Sequence, residues 1–124
     1  RLVPQLTTNN PPPSLNDLAA LVRDTSSTLM VARNERAEII GALTLTVYRV
    51  PTGIRSIIED VIVDSSARGQ GIGEALIKRA IEVARGKGAS NISLTSNPMR
   101  ESANRLYLRV GFKKRETNAY QIKL

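Results

Sequence analysis

The segment Arg68-Gly69-Gln70-Gly71-Ile72-Gly73 sets three alternate glycines and one arginine directly ahead of a helical pattern. Glycines let a backbone approach a ligand closely and take conformations that other residues avoid. The first turn of a helix leaves N–H groups unpaired and carries a positive partial charge. Together these features make an anion site suited to phosphate, and Arg68 adds a cation just ahead of it. The plain alternative is a Gly-rich turn that merely starts a helix. A dinucleotide loop needs Gly-x-Gly-x-x-Gly near the start of a βαβ unit, and a P-loop needs Gly-Lys-Ser/Thr; neither spacing is present.

The rest of the chemistry is narrowed by what is missing. The chain has no His and no Cys, which excludes thiolate nucleophiles, Cys-ligated zinc, the Ser-His-Asp triad and most transition-metal sites. No metal is expected. Any reaction must run on Asp, Glu, Tyr, Lys, Arg, hydroxyls and backbone amides. Inside the apolar run Ser56 to Val63 stand two adjacent acids, Glu59 and Asp60. Strand alternation puts them on opposite faces, with Glu59 sharing the face of Ile57 and Val61.

Val61-Ile62-Val63-Asp64-Ser65-Ser66-Ala67-Arg68-Gly69-Gln70-Gly71-Ile72-Gly73 closely resembles the coenzyme A-binding motif of the GNAT N-acetyltransferase superfamily, Gln/Arg-x-x-Gly-x-Gly/Ala after a strand. About thirty-five residues on, Ala103-Asn104-Arg105-Leu106-Tyr107-Leu108-Arg109-Val110-Gly111-Phe112 resembles the family's second signature, a helix ending in Tyr-x-x-x-Gly-Phe. The resemblance runs from about Thr28 to Leu124. It implies a GNAT-like acyl-CoA N-acyltransferase fold and acetyl-CoA as the acetyl donor, with the pyrophosphate held at Arg68, Gly69, Gln70, Gly71, Ile72 and Gly73. It further implies that Val61, Ile62 and Val63 splay from their neighbour and pair with the pantetheine arm, their amides polarising the acetyl carbonyl.

Tyr107 is similar in position to the tyrosine that protonates the departing thiolate in many members; packing in the core is its other reading. Glu59 is the preferred general base or amine-binding carboxylate, the alternative being an acid paired with a cross-strand Lys or Arg. Many relatives carry an Asn seven residues before the tyrosine, contacting pantetheine, where this chain has Arg100. Arg100 is therefore a candidate for the cofactor contact, for a negatively charged substrate, or for solvent. Ile58-Glu59-Asp60 also resembles the glucosamine-6-phosphate N-acetyltransferases, a match too short to assign a substrate.

These residues need elements to position them. Ser14, with Asp17 as a capping-box partner, opens a helix carrying Leu15, Leu18, Ala19, Leu21 and Val22 to about Asp24. Strands are expected at Thr28–Arg33, Ile39–Val50 and Ser56–Val63, then a helix from Gly71 to about Lys87. A strand at Asn91–Ser96, a helix at Glu101–Arg109 and a closing strand at Thr117–Leu124 complete the order. The expected class is α/β, a mixed and mostly antiparallel sheet flanked by helices. The family begins with an additional strand and helix. Arg1 to Leu6 reads as the tail of that helix, with the first strand missing or upstream.

One domain over 1–124 fits a chain of 124 residues with 41% hydrophobic and 23% charged side chains. No apolar stretch approaches the roughly 20 residues of a membrane span and no signal peptide is visible, so the expected location is cytoplasmic. The net charge of +7 fits an anionic cofactor or a solvated basic surface; nucleic acid is a minority reading without an aromatic-interleaved basic run or a recognition helix. The expected function is direct acetyl transfer from acetyl-CoA to a primary amine of a small molecule. The alternatives are a protein N-terminal or lysine acetyltransferase and a non-catalytic acetyl-CoA sensor. The resemblance also allows a homodimer.

Overall fold

A computed structural model describes residue 2 and residues 11–124. The expected helix tail at Arg1 to Leu6 and the start of the loop that follows lie outside the described residues. Helix α1 (Leu15–Arg23) begins at a complete capping box: the Ser14 hydroxyl accepts from Asp17 N and the Asp17 carboxylate accepts from Ser14 N, both at 3.1 Å. Those bonds hold the Asp17 carboxyl below its ordinary value, the Ser14 backbone N–H contributing most. Asp24 ends the helix and accepts from Ser26 N at 2.9 Å, which turns the chain into the sheet.

Strands β1 (Ser27–Arg33), β2 (Ile39–Val50) and β3 (Gly53–Val63) form an antiparallel meander. After a 3-10 turn at Ser65–Ala67, helix α2 (Ile72–Gly86) carries the chain across the sheet to β4 (Ile92–Ser93), which lies parallel to β3. Helix α3 (Glu101–Val110) follows. The result is a four-stranded mixed sheet in the order β1-β2-β3-β4 with three helices, the α/β class expected. Among the described residues no helix is long and apolar enough to cross a membrane.

Alternation along β2 sends Gly41, Leu43 and Leu45 to one face, where they meet Leu76, Ile77, Ala80 and Ala84 of α2. Ile58 and Tyr107 complete the buried cluster. With so few aromatic residues, close approach substitutes for bulk. A Cβ on Gly41 would stand 3.0 Å from Ile72 Cγ2 and 3.1 Å from Leu76 Cδ1, so the first turns of α2 lie almost on the β2 backbone.

Two expected strands differ from the structure. The segment Asn91–Ser96 pairs only at Ile92 and Ser93, because β4 leaves β3 after two rungs. Thr117–Leu124 forms no strand: its alternating Tyr120 and Ile122 are 90% and 82% exposed, and no neighbouring strand supplies hydrogen bonds. Alternation makes a segment able to pair, but pairing needs an available edge, and β4 offers only a two-residue one.

Gly41→Val is expected to lower stability by about 1–3 kcal/mol in urea denaturation, because the added methyls overpack the contact with α2. An unchanged midpoint would show that α2 does not sit this close to β2.

Candidate active site

The loop from β3 to α2 is fixed by a buried acid. Asp64 Oδ1 accepts from Ser66 N and Ser66 Oγ, both at 3.2 Å, and Asp64 N donates to the Ile40 carbonyl at 2.7 Å. The chain then tucks Ala67 into the protein and emerges at Arg68, whose Nε donates to the Val63 carbonyl at 3.2 Å. That bond holds the guanidinium at the end of β3, and among the described residues its terminal nitrogens have no hydrogen-bond partner.

Gly69 and Gly71 have φ of 80° and 79°, the left-handed region that favours glycine, and neither has an atom near where a Cβ would be. Gly71 is the N-cap of α2 and provides no side chain to cap it. The first-turn N–H groups therefore face an open, side-chain-free surface beside Arg68, an arrangement suited to an anion. Gly73 joins this loop to the rest of the site. A Cβ there would stand 3.3 Å from Leu106 Cδ2 and 3.6 Å from Val63 Cγ2. The glycine loop, the end of β3 and the helix bearing Tyr107 thus converge on one glycine.

Strand β3 is irregular where the two acids lie. Thr44 pairs with Glu59 and Ala42 with Ile62, so β3 spends three residues where β2 spends two, and Asp60 takes φ 53°. This bulge reverses the alternation beyond it. Glu59 shares the face of Thr44 and Ile62, while Val61 packs on the core cluster. The expectation that Glu59 and Val61 share a face assumed unbroken alternation and is corrected by the bulge. Both acids are exposed, and among the described residues neither carboxylate has an ion pair or hydrogen bond.

Strand β4 pairs with β3 at Ser56↔Ile92 and Ile57↔Ser93 only. Beyond these rungs, among the described residues, the edge of β3 from Ile58 to Val63 faces no strand, and neither does the chain from Leu94 to Asn97. The gap holds the bulge, Val61, Ile62 and Val63. At its β4 side, Ser96 Oγ is buried and has no hydrogen-bond partner among the described residues. Sequence reasoning missed this group, because nothing in Thr-Ser-Asn-Pro marks a hydroxyl as buried.

Tyr107 is 6% exposed and packs edge-on against Phe112, ring centroids 6.1 Å apart. Gly111, in the left-handed region, ends α3 and lets Phe112 N return to the Tyr107 carbonyl at 3.0 Å. Burial pushes the Tyr107 hydroxyl above its ordinary value, and the Arg100 cation opposes this by favouring the anion. Among the described residues no group hydrogen-bonds that hydroxyl. Arg100 sits exposed at the N-cap of α3 and caps nothing with its side chain. The nearby asparagines are committed to the turn: Asn97 Oδ1 accepts from Met99 N at 2.9 Å, and Asn104 Nδ2 donates to the Asn97 carbonyl at 3.0 Å.

The sequence profile described as Acetyltransferase (GNAT) family matches residues 2–112. Among curated proteins, the chain is similar to glucosamine 6-phosphate N-acetyltransferase of Trypanosoma brucei brucei, 37% identical over 81 residues, 63% of this chain and 53% of that protein. It is also similar to thialysine N-epsilon-acetyltransferase of Sus scrofa, 38% identical over 65 residues, 52% of this chain and 38% of that one. The chain spans about half or less of the length of the curated relatives it matches. Among solved structures, an acetyltransferase from Trypanosoma brucei superposes with a TM-score of 0.82 at 31% identity, covering 99% of this chain and 88% of that one.

Ultraviolet titration of the protein, with the Tyr107→Phe trace subtracted, is expected to show an ionisation above the ordinary tyrosine value of about 10. In Arg100→Ala the same ionisation should move higher still, since the cation favouring the tyrosinate is gone. A downward move would contradict the coupling.

Proposed function

The chain belongs to the GNAT acetyltransferase family, and from that premise we propose that it transfers an acetyl group from acetyl-CoA directly to the primary amine of a small molecule. The observation that carries this reading is the convergence at Gly73 of an uncapped, left-handed glycine loop, the open edge of β3 and the helix of Tyr107. The printed names of the relatives, a glucosamine 6-phosphate and a thialysine N-acetyltransferase, support a small-molecule amine as acceptor.

In this reading the pyrophosphate of the donor lies on the amides of Gly69, Gln70, Gly71, Ile72 and Gly73, with the Arg68 guanidinium alongside. The residues fit this group: both positive-φ glycines leave open space where a side chain would intrude. The pantetheine amides pair along the edge of β3 at Val61, Ile62 and Val63, next to the Val63 carbonyl that Arg68 Nε holds, where β4 supplies no strand. Arg100, standing near Tyr107 at the start of α3, is in position to meet the donor's polar arm.

The amine nitrogen attacks the thioester carbonyl carbon. Its proton passes to Glu59, directly or through a water, since an ordinary alkylamine has a pKa of about 10 and must be neutral to attack. Backbone N–H groups at the bulge stabilise the tetrahedral oxyanion. The C–S bond then breaks, and the Tyr107 hydroxyl gives its proton to the thiolate. The Tyr107 hydroxyl, like any tyrosine, carries its proton at neutral pH; burial raises its pKa further, while the Arg100 cation favours the tyrosinate left behind.

A thiol-release assay with acetyl-CoA and a panel of amino sugars, diamines and basic amino acids tests the proposal. Turnover of at least one amine is expected. Tight donor binding with no turnover of any amine would instead favour a sensor. For an amine that turns over, Tyr107→Phe should lower kcat by about 100-fold or more, as loss of a general acid does; an unchanged rate would remove Tyr107 as the acid. Gly71→Val should abolish donor binding, because valine cannot adopt the cap geometry without strain and would cover the amides.

A further inference from the structure

Strand β2 has 12 residues and spans about 40 Å, whereas α2 has 15 and spans about 22 Å, so the sheet outruns the helix that covers it. Helix α2 starts over Gly41 and ends near the first residues of β3: a Cβ on Gly88, just past the helix, would stand 3.6 Å from Ile54 Cδ1. At that end lies an open cavity of about 480 Å³, lined by Thr25, Ser26, Val47, Arg49, Ile54 and Lys87 among others. Its volume is that of a small-molecule site. The glycine loop is at the other end of α2, and the gap between β3 and β4 opens only beyond Ile57, so the cavity belongs to neither.

The walls are tied to one another. Val47 N donates to the Ser26 carbonyl at 2.8 Å, which fixes the turn before β1 against β2. Ser90 N and Ser90 Oγ both donate to the Ile54 carbonyl, at 2.8 and 3.0 Å, which fixes the chain after α2 against β3. Arg49 stands directly across from Ile54 in the β2–β3 ladder and, by alternation, shares the face of Val47. Half-buried Val47 and Ile54 therefore form an apolar floor, with Arg49 beside it and Lys87 at the end of the helix.

Both cations are unengaged. Among the described residues neither the Arg49 guanidinium nor the Lys87 ammonium has an ion pair or hydrogen bond, and no carboxylate lines the cavity. The acid nearest in the chain, Asp24, is committed to Ser26, accepting from its N at 2.9 Å and its Oγ at 2.7 Å. Arg85 already gives the last turn of α2 a cation to complement its dipole, so Lys87 is not needed for that purpose. Two positive charges beside an apolar floor, with no counter-charge from the protein, match a ligand that is a dianion at one end and apolar at the other.

We propose that this cavity is a second ligand site, taking a phosphate monoester with a compact apolar body. The Arg49 guanidinium donates to the phosphate oxygens, Lys87 supplies the second positive charge, and the body of the ligand rests on Val47 and Ile54. The site is independent of the acetyl-transfer reading, because none of its residues belongs to the glycine loop, the open edge of β3 or α3.

Residue-resolved amide shift mapping of the full chain with phenyl phosphate tests this. Saturable changes are expected at Val47, Arg49, Ile54 and Lys87, and binding at the glycine loop would be read separately. Inorganic phosphate should bind at these four residues about tenfold or more weakly, since it leaves the apolar floor uncovered. Arg49→Gln/Lys87→Gln should weaken phenyl phosphate there by about tenfold or more, as loss of charge-assisted bonds to a phosphate does. If the double variant fails to fold, Arg49→Gln alone carries the comparison, with a smaller loss in the same direction. Absence of saturable changes at the four residues would overturn the site, as would an affinity that survives the substitutions. Equal affinity for inorganic phosphate would mark an adventitious ion only and would overturn it too.

Discussion

Among the described residues β4 pairs with β3 over two parallel rungs, and the proposed site depends on where that pairing stops. A backbone edge carries donors and acceptors that must find partners, and a strand edge left inside a fold is a template for another extended chain. From Ile58 to Val63 that edge stays open while the other edge of β3 is held by β2 over nearly its whole length. The sheet is thus rigid on one side of the gap and unfilled on the other. In the proposed function, a ligand with amide groups along an extended arm completes the ladder where β4 does not.

Small residues keep the surrounding parts close enough to act on one ligand. Gly41 brings α2 down onto β2, and Gly73 brings α2 against Leu106 and Val63. Each removes a side chain at a crossing where a methyl group would be in or near van der Waals conflict. The start of α2, the open strand edge and Tyr107 are consequently brought together by close backbone packing, while Asp64 and Arg68 fix the loop that leads into α2. The ion pairs found here fit that view: Glu74 reaches Arg109 at 3.2 Å and Lys78 at 3.8 Å on a partly exposed surface, where such pairs contribute little.

How much of this could be read from the chain depended on how local the signal was. The glycine loop was legible because a left-handed turn and a helix start are properties of adjacent residues, and Gly69 and Gly71 do take positive φ. The helix ending at Gly111 was legible for the same reason. The bulge was not, since it is a mismatch of count between β2 and β3 and neither strand alone reveals it. Asp60 gave a trace of it as an acid inside an apolar run, because Asp tolerates the left-handed conformation better than Ile or Val does. Thr117–Leu124 misled for the converse reason: its alternation is a real pairing capacity, but whether an edge is available is decided by residues far away.

The proposed function requires that the glycine loop and the open edge of β3 bind one molecule together. Amide chemical-shift mapping on addition of coenzyme A reads this out. The largest changes are expected jointly on Gly69, Gln70, Gly71, Ile72 and Gly73 and on Val61, Ile62 and Val63, with saturation at a single concentration. Changes confined to the loop, or lying elsewhere on the surface, would contradict it.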